Sequence, residues 1–403
     1  MRLIPWKLEK RMTSPLDRLN AQLARLADHP FYRGRLPVGP LESLDAFSAN
    51  VPLMSRYDLV AEMEKPGYGA FAPAEPVVRM NLTPMDGRLV PILQSASDLA
   101  AQVAACRRHL DACGIGPGDV CMVSFGYHLF VAGLFYQTQM EAHGVACIPH
   151  GPGETERAAE IAAKHGVTVL AGNPSFALKL IEAGMPPPKV FFAGGEPFTG
   201  NRTLYRQVQA AMPGTLLVDA FSLSEFLPVA RTLPGGKGLH VFDELVYAEV
   251  IDPETGLPVA DGERGELVLT HLAKSVQPLV RYRTGDLTLK TTTKPLHGRT
   301  VCLPQAILGR VDSMVKVKGV KLYPSEVRTV LLGVKGLSGR YRLTVGRKPS
   351  GADHLGLTLE GLATPEDLSA LRQRFKSQTL LALDAIHPVA TLPDGPLVCD
   401  ERD

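Results

Sequence analysis

Several stretches of the chain combine residue types that a ligand-handling surface needs. Phe125-Gly126-Tyr127-His128-Leu129-Phe130, followed by Gly133, sets flat rings beside positions without side chains. Such walls suit a ring-bearing ligand, which stacks or packs edge-on. Phe125, Phe130 and Leu134 serve equally well as core at helical spacing, whereas Tyr127 and His128 suit a cavity wall. Gly194-Gly195-Glu196-Pro197 closes an apolar run from Lys189 to Ala193. A loop at the carboxyl end of a parallel strand is where open α/β sheets bind ligands. Two carboxylates sit in distinctive blocks, Glu225 in Ala220-Phe221-Ser222-Leu223-Ser224-Glu225 and Asp286 in Arg281-Tyr282-Arg283-Thr284-Gly285-Asp286-Leu287.

These residues must be positioned by short strands alternating with helices. Val120–Ser124, Val145–Pro149, Val167–Leu170, Lys189–Ala193 and Leu216–Asp219 read as strands, with helices from Glu154 to His165 and from Ser175 to Ala183 between them. This alternation predicts a mostly parallel α/β sheet. Upstream, Leu16, Leu19, Leu23 and Leu26 mark a helix, and a second runs from Ser97 through Leu110. Gly238–Glu244, Tyr247–Gly256 and Gly262–Thr270 read as an antiparallel, barrel-like subdomain. Then Gly309-Arg310-Val311-Asp312 runs into alternating Val and Lys, turns at Gly319 beyond Lys318, and enters a helix at Tyr323-Pro324-Ser325-Glu326. The tail adds strands near Tyr341–Val345, His354–Glu360 and Ala385–Ala390, with a helix from Pro365 to about Thr379.

The bulk composition sets bounds. The 403 residues predict two or three domains at roughly 100–200 residues each. Hydrophobic content of 45% is enough for a core, and a net charge of +2 gives no electrostatic case for a nucleic-acid partner. No apolar run reaches the roughly 18 residues of a membrane span, and Met1–Arg11 lacks the apolar centre of a signal peptide. The six cysteines (Cys106, Cys113, Cys121, Cys147, Cys302, Cys399) are scattered without metal spacing. They read as reduced thiols of a cytoplasmic protein rather than a disulfide framework.

Taken together, the Gly309–Val327 and Arg281–Leu287 blocks resemble the hinge region of adenylate-forming (ANL) acyl-CoA synthetases, most closely the phenylacetate–CoA ligase family. The resemblance runs from about Pro30 to the C-terminus. It implies a large α/β AMP-binding domain over 1–309, with parallel sheets and a small antiparallel subdomain, and a small mobile α+β lid over 310–403, hinged at Asp312. It implies ATP/AMP, Mg²⁺ and CoA as cofactors, with an aromatic acid as substrate. Gly195, Glu196 and Pro197 stand at the adenine motif. Asp219, Phe221, Ser222 and Ser224 line the nucleotide, and Glu225 holds Mg²⁺, a hard cation that prefers carboxylate oxygens. Asp286 grips the ribose diol as a bidentate acceptor. Arg310 meets phosphate, Lys318 and Gly319 follow it on the nucleotide side, and Phe125, Tyr127, His128, Phe130 and Gly133 line the acid pocket. Some members carry a Cys/His zinc cluster. Phe226–Asp243 has no cysteine and only His240, so no zinc is expected.

The chain departs from the family at two places. The phosphate loop, rich in Ser, Thr and Gly in the family, reads Asn81-Leu82-Thr83-Pro84-Met85-Asp86-Gly87-Arg88. Thr83 and Gly87 keep the pattern and Arg88 takes the lysine position, but Pro84 removes an N–H donor and Asp86 adds negative charge. No lysine follows Lys376, and Pro396 stands where the family's late catalytic lysine falls. The expected activity is an ATP-dependent ligase that forms an acyl-adenylate and passes it to CoA, a carrier-protein thiol or an amine. Glu225, Arg310 and Arg88 would carry the catalysis. The alternatives are an enzyme of the thioester half alone, or a non-catalytic descendant that binds nucleotide or an aryl ligand. The resemblance also admits a homodimer.

Overall fold

A computed structural model describes residues 14–85, 88–311, 315–318, 320–322, 324–331, 334, 336–349, 352–379 and 381–402. Gly87, Asp312 and Gly319, singled out above, lie outside them. The chain divides into two compact units, one running through Thr284 and resuming at Leu289–Ala306, the other made of Gly285–Thr288 and Ile307 onward.

A nine-stranded sheet organises the first unit. Five neighbouring strands, Ala146–Pro149, Val120–Val123, Val169–Gly172, Val190–Ala193 and Leu216–Phe221, are parallel. The remaining four, Ala230–Arg231, Leu239–Val241, Arg299–Leu303 and Thr291–Leu296, continue antiparallel. Strand side chains alternate between faces, and both faces here are apolar. Cys121, Val123, Val169, Ala171, Val190 and Phe192 pack toward helices Ala96–Ala112 and Ala132–Glu141. Met122, Leu170, Phe191 and Ala193 pack toward helices Thr155–Lys164, Pro174–Glu182 and Arg202–Ala211. Burial on both faces explains why these strands read as continuous apolar runs. The parallel strands lie in the order second, first, third, fourth, fifth along the chain. The chain therefore reverses its direction of progress between Val120–Val123 and Val169–Gly172, and open α/β sheets bind ligands outside the carboxyl ends at such a point.

Inside the first core layer lies a cation. Arg231 is fully buried. It donates to Gln139 Oε1 at 3.0 Å, and its guanidinium carbon stands 5.1–5.6 Å from the ring centres of Phe135, Tyr136, Phe192 and Phe242. Stacked rings lower the cost of burying this charge.

The N-terminal segment closes against residues far along the chain. Helix Pro15–Leu26 starts at a reciprocal Ser14–Asp17 capping box. From it Arg18 donates to Asp243 O at 2.6 Å and Gln22 to Lys274 O at 3.3 Å. Tyr32 Oη donates to Pro278 O at 2.9 Å, and Met54 exchanges backbone bonds with Arg281 and Arg283 at 2.9 and 2.8 Å.

Two local expectations change. Strand Leu239–Val241 belongs to the nine-stranded sheet, while Val246–Ile251 and Arg264–His271 pair separately. Helix Ala132–Glu141 begins only after Phe130, which is 47% exposed and is therefore not a core position.

In the second unit the sheet order is Ala385–Val389, Asp353–Gly361, Leu337–Arg347, Val398–Asp400. Helix Pro365–Thr379 links the parallel pair Asp353–Gly361 and Ala385–Val389. Leu343, Val345, Leu355, Leu357, Leu371 and Phe375 form its core with Val327 and Val330 of helix Pro324–Leu331. Among the described residues no helix is long and apolar enough to cross a membrane.

Candidate active site

The crevice is built where the parallel strands end. After Val120–Val123, the buried Phe125 ring stacks on Tyr136 at 5.2 Å. A Cβ on Gly194 would come 3.4 Å from that ring, and one on Gly195 would strike Asn173 Nδ2 at 2.5 Å. Gly195 also has φ +80°, so both conformation and space require glycine there. Asn173, just past Gly172, donates to Gly194 O at 3.2 Å and so ties two strand ends together. Glu196 accepts from Ser175 N at 2.6 Å, which answers an open N–H at the start of helix Pro174–Glu182. Pro197 is exposed beside it.

The loop after Phe125 is pinned from the other side. Leu82 N donates to Leu129 O at 2.8 Å, and Asn81 Nδ2 donates to Phe130 O at 3.1 Å. A Cβ on Gly133 would meet Gly126 O at 2.7 Å and the Tyr127 ring at 3.1 Å, so Gly133 lets the loop fold back on the helix. Burial pushes the Tyr127 hydroxyl above its ordinary pKa. His128 and Phe130 face outward as exposed residues. Phe125, Tyr127 and Gly133 are thus brought together, while the side chains of His128 and Phe130 are exposed and Phe130 bonds Asn81 through its backbone oxygen.

Beyond strand Leu216–Phe221 the chain delivers Glu225. Asp219 is spent on structure, since it accepts from Thr199 N at 2.9 Å and Thr199 Oγ1 at 2.5 Å. Burial raises its pKa and the Thr199 bonds oppose the rise. Phe221 and Ser222 are half-buried on the way out. Ser224 Oγ donates to Thr83 Oγ1 at 3.0 Å, joining two hydroxyls from distant parts of the sequence. Glu225 is held at both ends: Tyr282 Oη donates to its Oε1 at 2.8 Å, and His271 Nε2 bonds its backbone oxygen at 3.1 Å. His271 Nδ1 accepts from Leu279 N at 3.0 Å, which assigns the ring proton to Nε2. Burial holds His271 well below pKa 6.5, hence neutral, and its ring stacks on Phe226 at 3.9 Å.

Ser224 and Glu225 share a cleft with Gln94, Asp98, His271 and Lys274. Burial brings the Lys274 pKa down to about 8 against the pull of Asp98 and Glu225. Asp98 is committed elsewhere, accepting from Ser275 N at 2.7 Å and Ser95 N at 3.0 Å. Sequence reasoning missed Tyr282, His271 and Lys274. Only Tyr282 carried a signal, by lying within the Arg281–Leu287 block.

Arg88 lies apart from this group, with its guanidinium on Glu64 Oε2 at 2.6 Å and both side chains about half exposed. In the second unit, Asp286 and Arg310 face each other in strand register, with Nη1 donating to Oδ1 at 3.1 Å. Gly285 has φ +74°, and a Cβ there would meet Arg310 Nη2 at 2.6 Å, so this ion pair needs glycine beside it. Lys318 Nζ is 2.7 Å from Asp384 Oδ2 and donates to Ala382 O at 3.1 Å, and Lys348 takes Asp384 Oδ1 at 2.6 Å. Burial would raise the Asp384 pKa, but the bonds from Lys318 and Lys348 pull it well below the usual carboxylate range.

Comparison with known proteins gives this arrangement a family. Residues 92–272 match the AMP-binding enzyme family. Phenylacetate-coenzyme A ligase of Thermus thermophilus is 31% identical over 366 residues, covering 83% of this chain and 80% of that protein. The chain belongs to the phenylacetate–CoA ligase family. Its class is therefore that of the adenylate-forming acid–thiol ligases, and its fold is the ANL fold. The Pseudomonas putida phenylacetate-coenzyme A ligase is 30% identical, covering 82% of this chain and 78% of its own. Among solved structures, 2-hydroxyisobutyryl-CoA ligase in an open conformation, in complex with 2-HIB-AMP and CoA, superposes with TM-score 0.81 at 25% identity. That match covers 96% of this chain and 91% of the other. In this ligase, Phe125, Gly195 and Glu225 all follow the carboxyl ends of parallel strands.

Proposed function

We propose that this ligase uses ATP to activate an aromatic carboxylic acid and passes the acyl group to CoA. The acid's carboxylate oxygen attacks the α-phosphorus and displaces pyrophosphate. The CoA thiol then attacks the acyl carbon and releases AMP. The observation that carries the reading is the convergence of Thr83, Ser224 and the buried Glu225 beside the strand-end crevice. Two hydroxyls offer donors to phosphate oxygens, Tyr282 fixes the Glu225 carboxylate next to them, and His271 holds the Glu225 backbone.

The residues present fit Mg²⁺. Mg²⁺ keeps several waters and takes one or two carboxylates plus substrate phosphates, so Glu225 alone among the side chains suffices to hold it. When bound, the ion neutralises phosphate charge. Asp286 would accept the ribose hydroxyls, and Arg310 would meet phosphate. Arg88 is held by Glu64 and Lys318 by Asp384, so both must leave these partners to act on the nucleotide. The ring wall of Phe125 and Tyr127 supports an aromatic acid, as does the acid named for the ligases of Thermus and Pseudomonas. CoA is the expected acceptor. A carrier-protein thiol or an amine would intercept the same adenylate.

The test is ATP–pyrophosphate exchange with benzoic, phenylacetic and hydroxy- or amino-substituted aryl acids, alongside short aliphatic acids. Exchange with an aryl acid is expected, and Glu225→Gln should lower it by about 10²–10³. Exchange with aliphatic acids alone would overturn the substrate class. Silence with every acid would overturn the adenylation reading.

A further inference from the structure

Outside the nucleotide-handling residues, two thiols meet across the first pair of strands. Val120–Val123 and Ala146–Pro149 are parallel neighbours, and Cys121 stands directly opposite Cys147. Neighbouring strands lie about 4.7–4.9 Å apart, inside the 4.4–6.8 Å range of Cα separations that a disulfide spans. Both side chains lie on the same face of the sheet, in the cluster beneath helix Ala132–Glu141.

The two partners are unequal. Cys121 is wholly buried, whereas Cys147 is half-buried and reaches solvent. Each thiol shifts the other: Cys121 lowers the pKa of Cys147, and Cys147 together with burial raises that of Cys121 well above 9. Glu141 opposes ionisation of Cys147 through its charge. Cys147 is thus the accessible, more acidic thiol, and Cys121 the enclosed one waiting behind it. This is the pairing of a reactive cysteine with a resolving one. Cys106, Cys113 and Cys302 are buried, and Cys399 lies in the other unit.

The position links the pair to the crevice. Cys121 is on the strand that leads directly into Phe125 and Tyr127. Closing an S–S bond of 2.03–2.05 Å across this pair requires the two strands to shift. The Phe125–Tyr127 wall and the glycines packed on it move with them.

We propose that Cys121 and Cys147 form a reversible disulfide under peroxide, and that this bond regulates the acid-activating crevice. Peroxide converts the Cys147 thiol to a sulfenic acid with release of water. The Cys121 thiol then attacks that sulfur and forms the S–S bond with loss of a second water. Two hydrogens and two electrons pass from the protein to the peroxide, and a dithiol returns them. The regulatory half rests on the ligase reading above.

The experiment treats the full chain with hydrogen peroxide, digests it with chymotrypsin without reduction, and maps the peptides. The expected result is one cross-linked pair holding Cys121 and Cys147, released by dithiothreitol. Cys121→Ser should abolish the cross-link and leave a Cys147 sulfenic acid that dimedone traps. Pyrophosphate exchange should fall about 10- to 100-fold on oxidation and return on reduction, while Cys147→Ser should retain exchange under peroxide. A wild-type chain that over-oxidises Cys147, or links other cysteines instead, overturns the disulfide. A mapped disulfide with unchanged exchange overturns the regulation. A mapped disulfide in a protein with no exchange in either state leaves the bond standing and removes the ligase reading.

Discussion

Replacing His109 should change how stability depends on acid, by an amount that can be worked out. His109 sits on helix Ala96–Ala112 with 1% exposure, and its ring centre is 5.9 Å from Phe192 and 6.0 Å from Phe242. Burial is the main cause that holds its pKa well below 6.5. The charges of Arg231 and Arg299 push the same way. The folded chain therefore keeps His109 neutral, while the unfolded chain takes up a proton near pH 6.5. Because the unfolded state binds more protons, stability rises with pH. The contribution is present above pH 6.5 and is lost as pH falls below it, until the folded pKa is reached. Between about pH 7 and pH 5 one such group removes about 2 kcal/mol. His109→Leu has no proton to gain, so its stability relative to wild type should improve by about 2 kcal/mol over that interval, whatever the absolute cost of the substitution. Urea unfolding of both proteins at the two pH values measures this, with His240 and His271 cancelling in the comparison. A stability gap that is the same at both pH values would refute the neutral, enclosed state of His109.

Tyr282→Phe deletes the hydroxyl that orients Glu225. Hydrogen bonds to charged groups are worth about 1.5–3 kcal/mol, so pyrophosphate exchange should fall about tenfold or more at saturating ATP, while far-ultraviolet circular dichroism stays unchanged. Glu249→Ala breaks the pair with Arg281, held at 3.1 Å with 3% and 4% of the two side chains exposed. Stranding that guanidinium should cost about 3–5 kcal/mol in urea unfolding. Gly238→Ala places a Cβ 2.6 Å from the Pro304 backbone at φ +75°, and should lower the urea midpoint by the equivalent of at least about 1–3 kcal/mol.

The parallel half of the fold was legible because its strands are short, apolar on both faces and separated by helices, so a local window holds the whole signal. Phe125, Gly195, Ser224 and Glu225 were singled out with the help of the family resemblance, and the structure sets each of them past the carboxyl end of a parallel strand. What holds Glu225 was not legible. Its partners His271 and Tyr282 lie 46 and 57 positions further on, and nothing local to either one announces a contact at that separation. Phe130 shows a second limit. Its ring type suggested core, but its peptide oxygen is the part bonded to Asn81, and sequence periodicity does not report on backbone acceptors. The edge strand Val398–Asp400, three residues long, is too short to display a period of two. Arg88 occupies a cationic position by alignment, yet it lies within reach of Glu64, an acid 24 positions earlier.

The bonds between the start of the first unit and its far end bear on synthesis. Arg18, Tyr32 and Met54 find their partners at Asp243, Pro278 and Arg281, with sequence separations of 225 and 246 for the first two. A ribosome adding about 5–20 residues per second needs roughly 12–50 s to cover that distance. Throughout that time Arg18 and Tyr32 lack these late partners, although the rings of Phe31 and Tyr32 can already pack on Phe71. The loops after the parallel strands can form while this segment waits. The enclosure of Glu225 cannot, because Tyr282 is made at the end of the same interval. The segment from Arg18 to Met54 is thus among the last of this unit to complete its bonds, and in a nascent chain stalled before residue 283 the Arg283–Met54 bond would still be unmade.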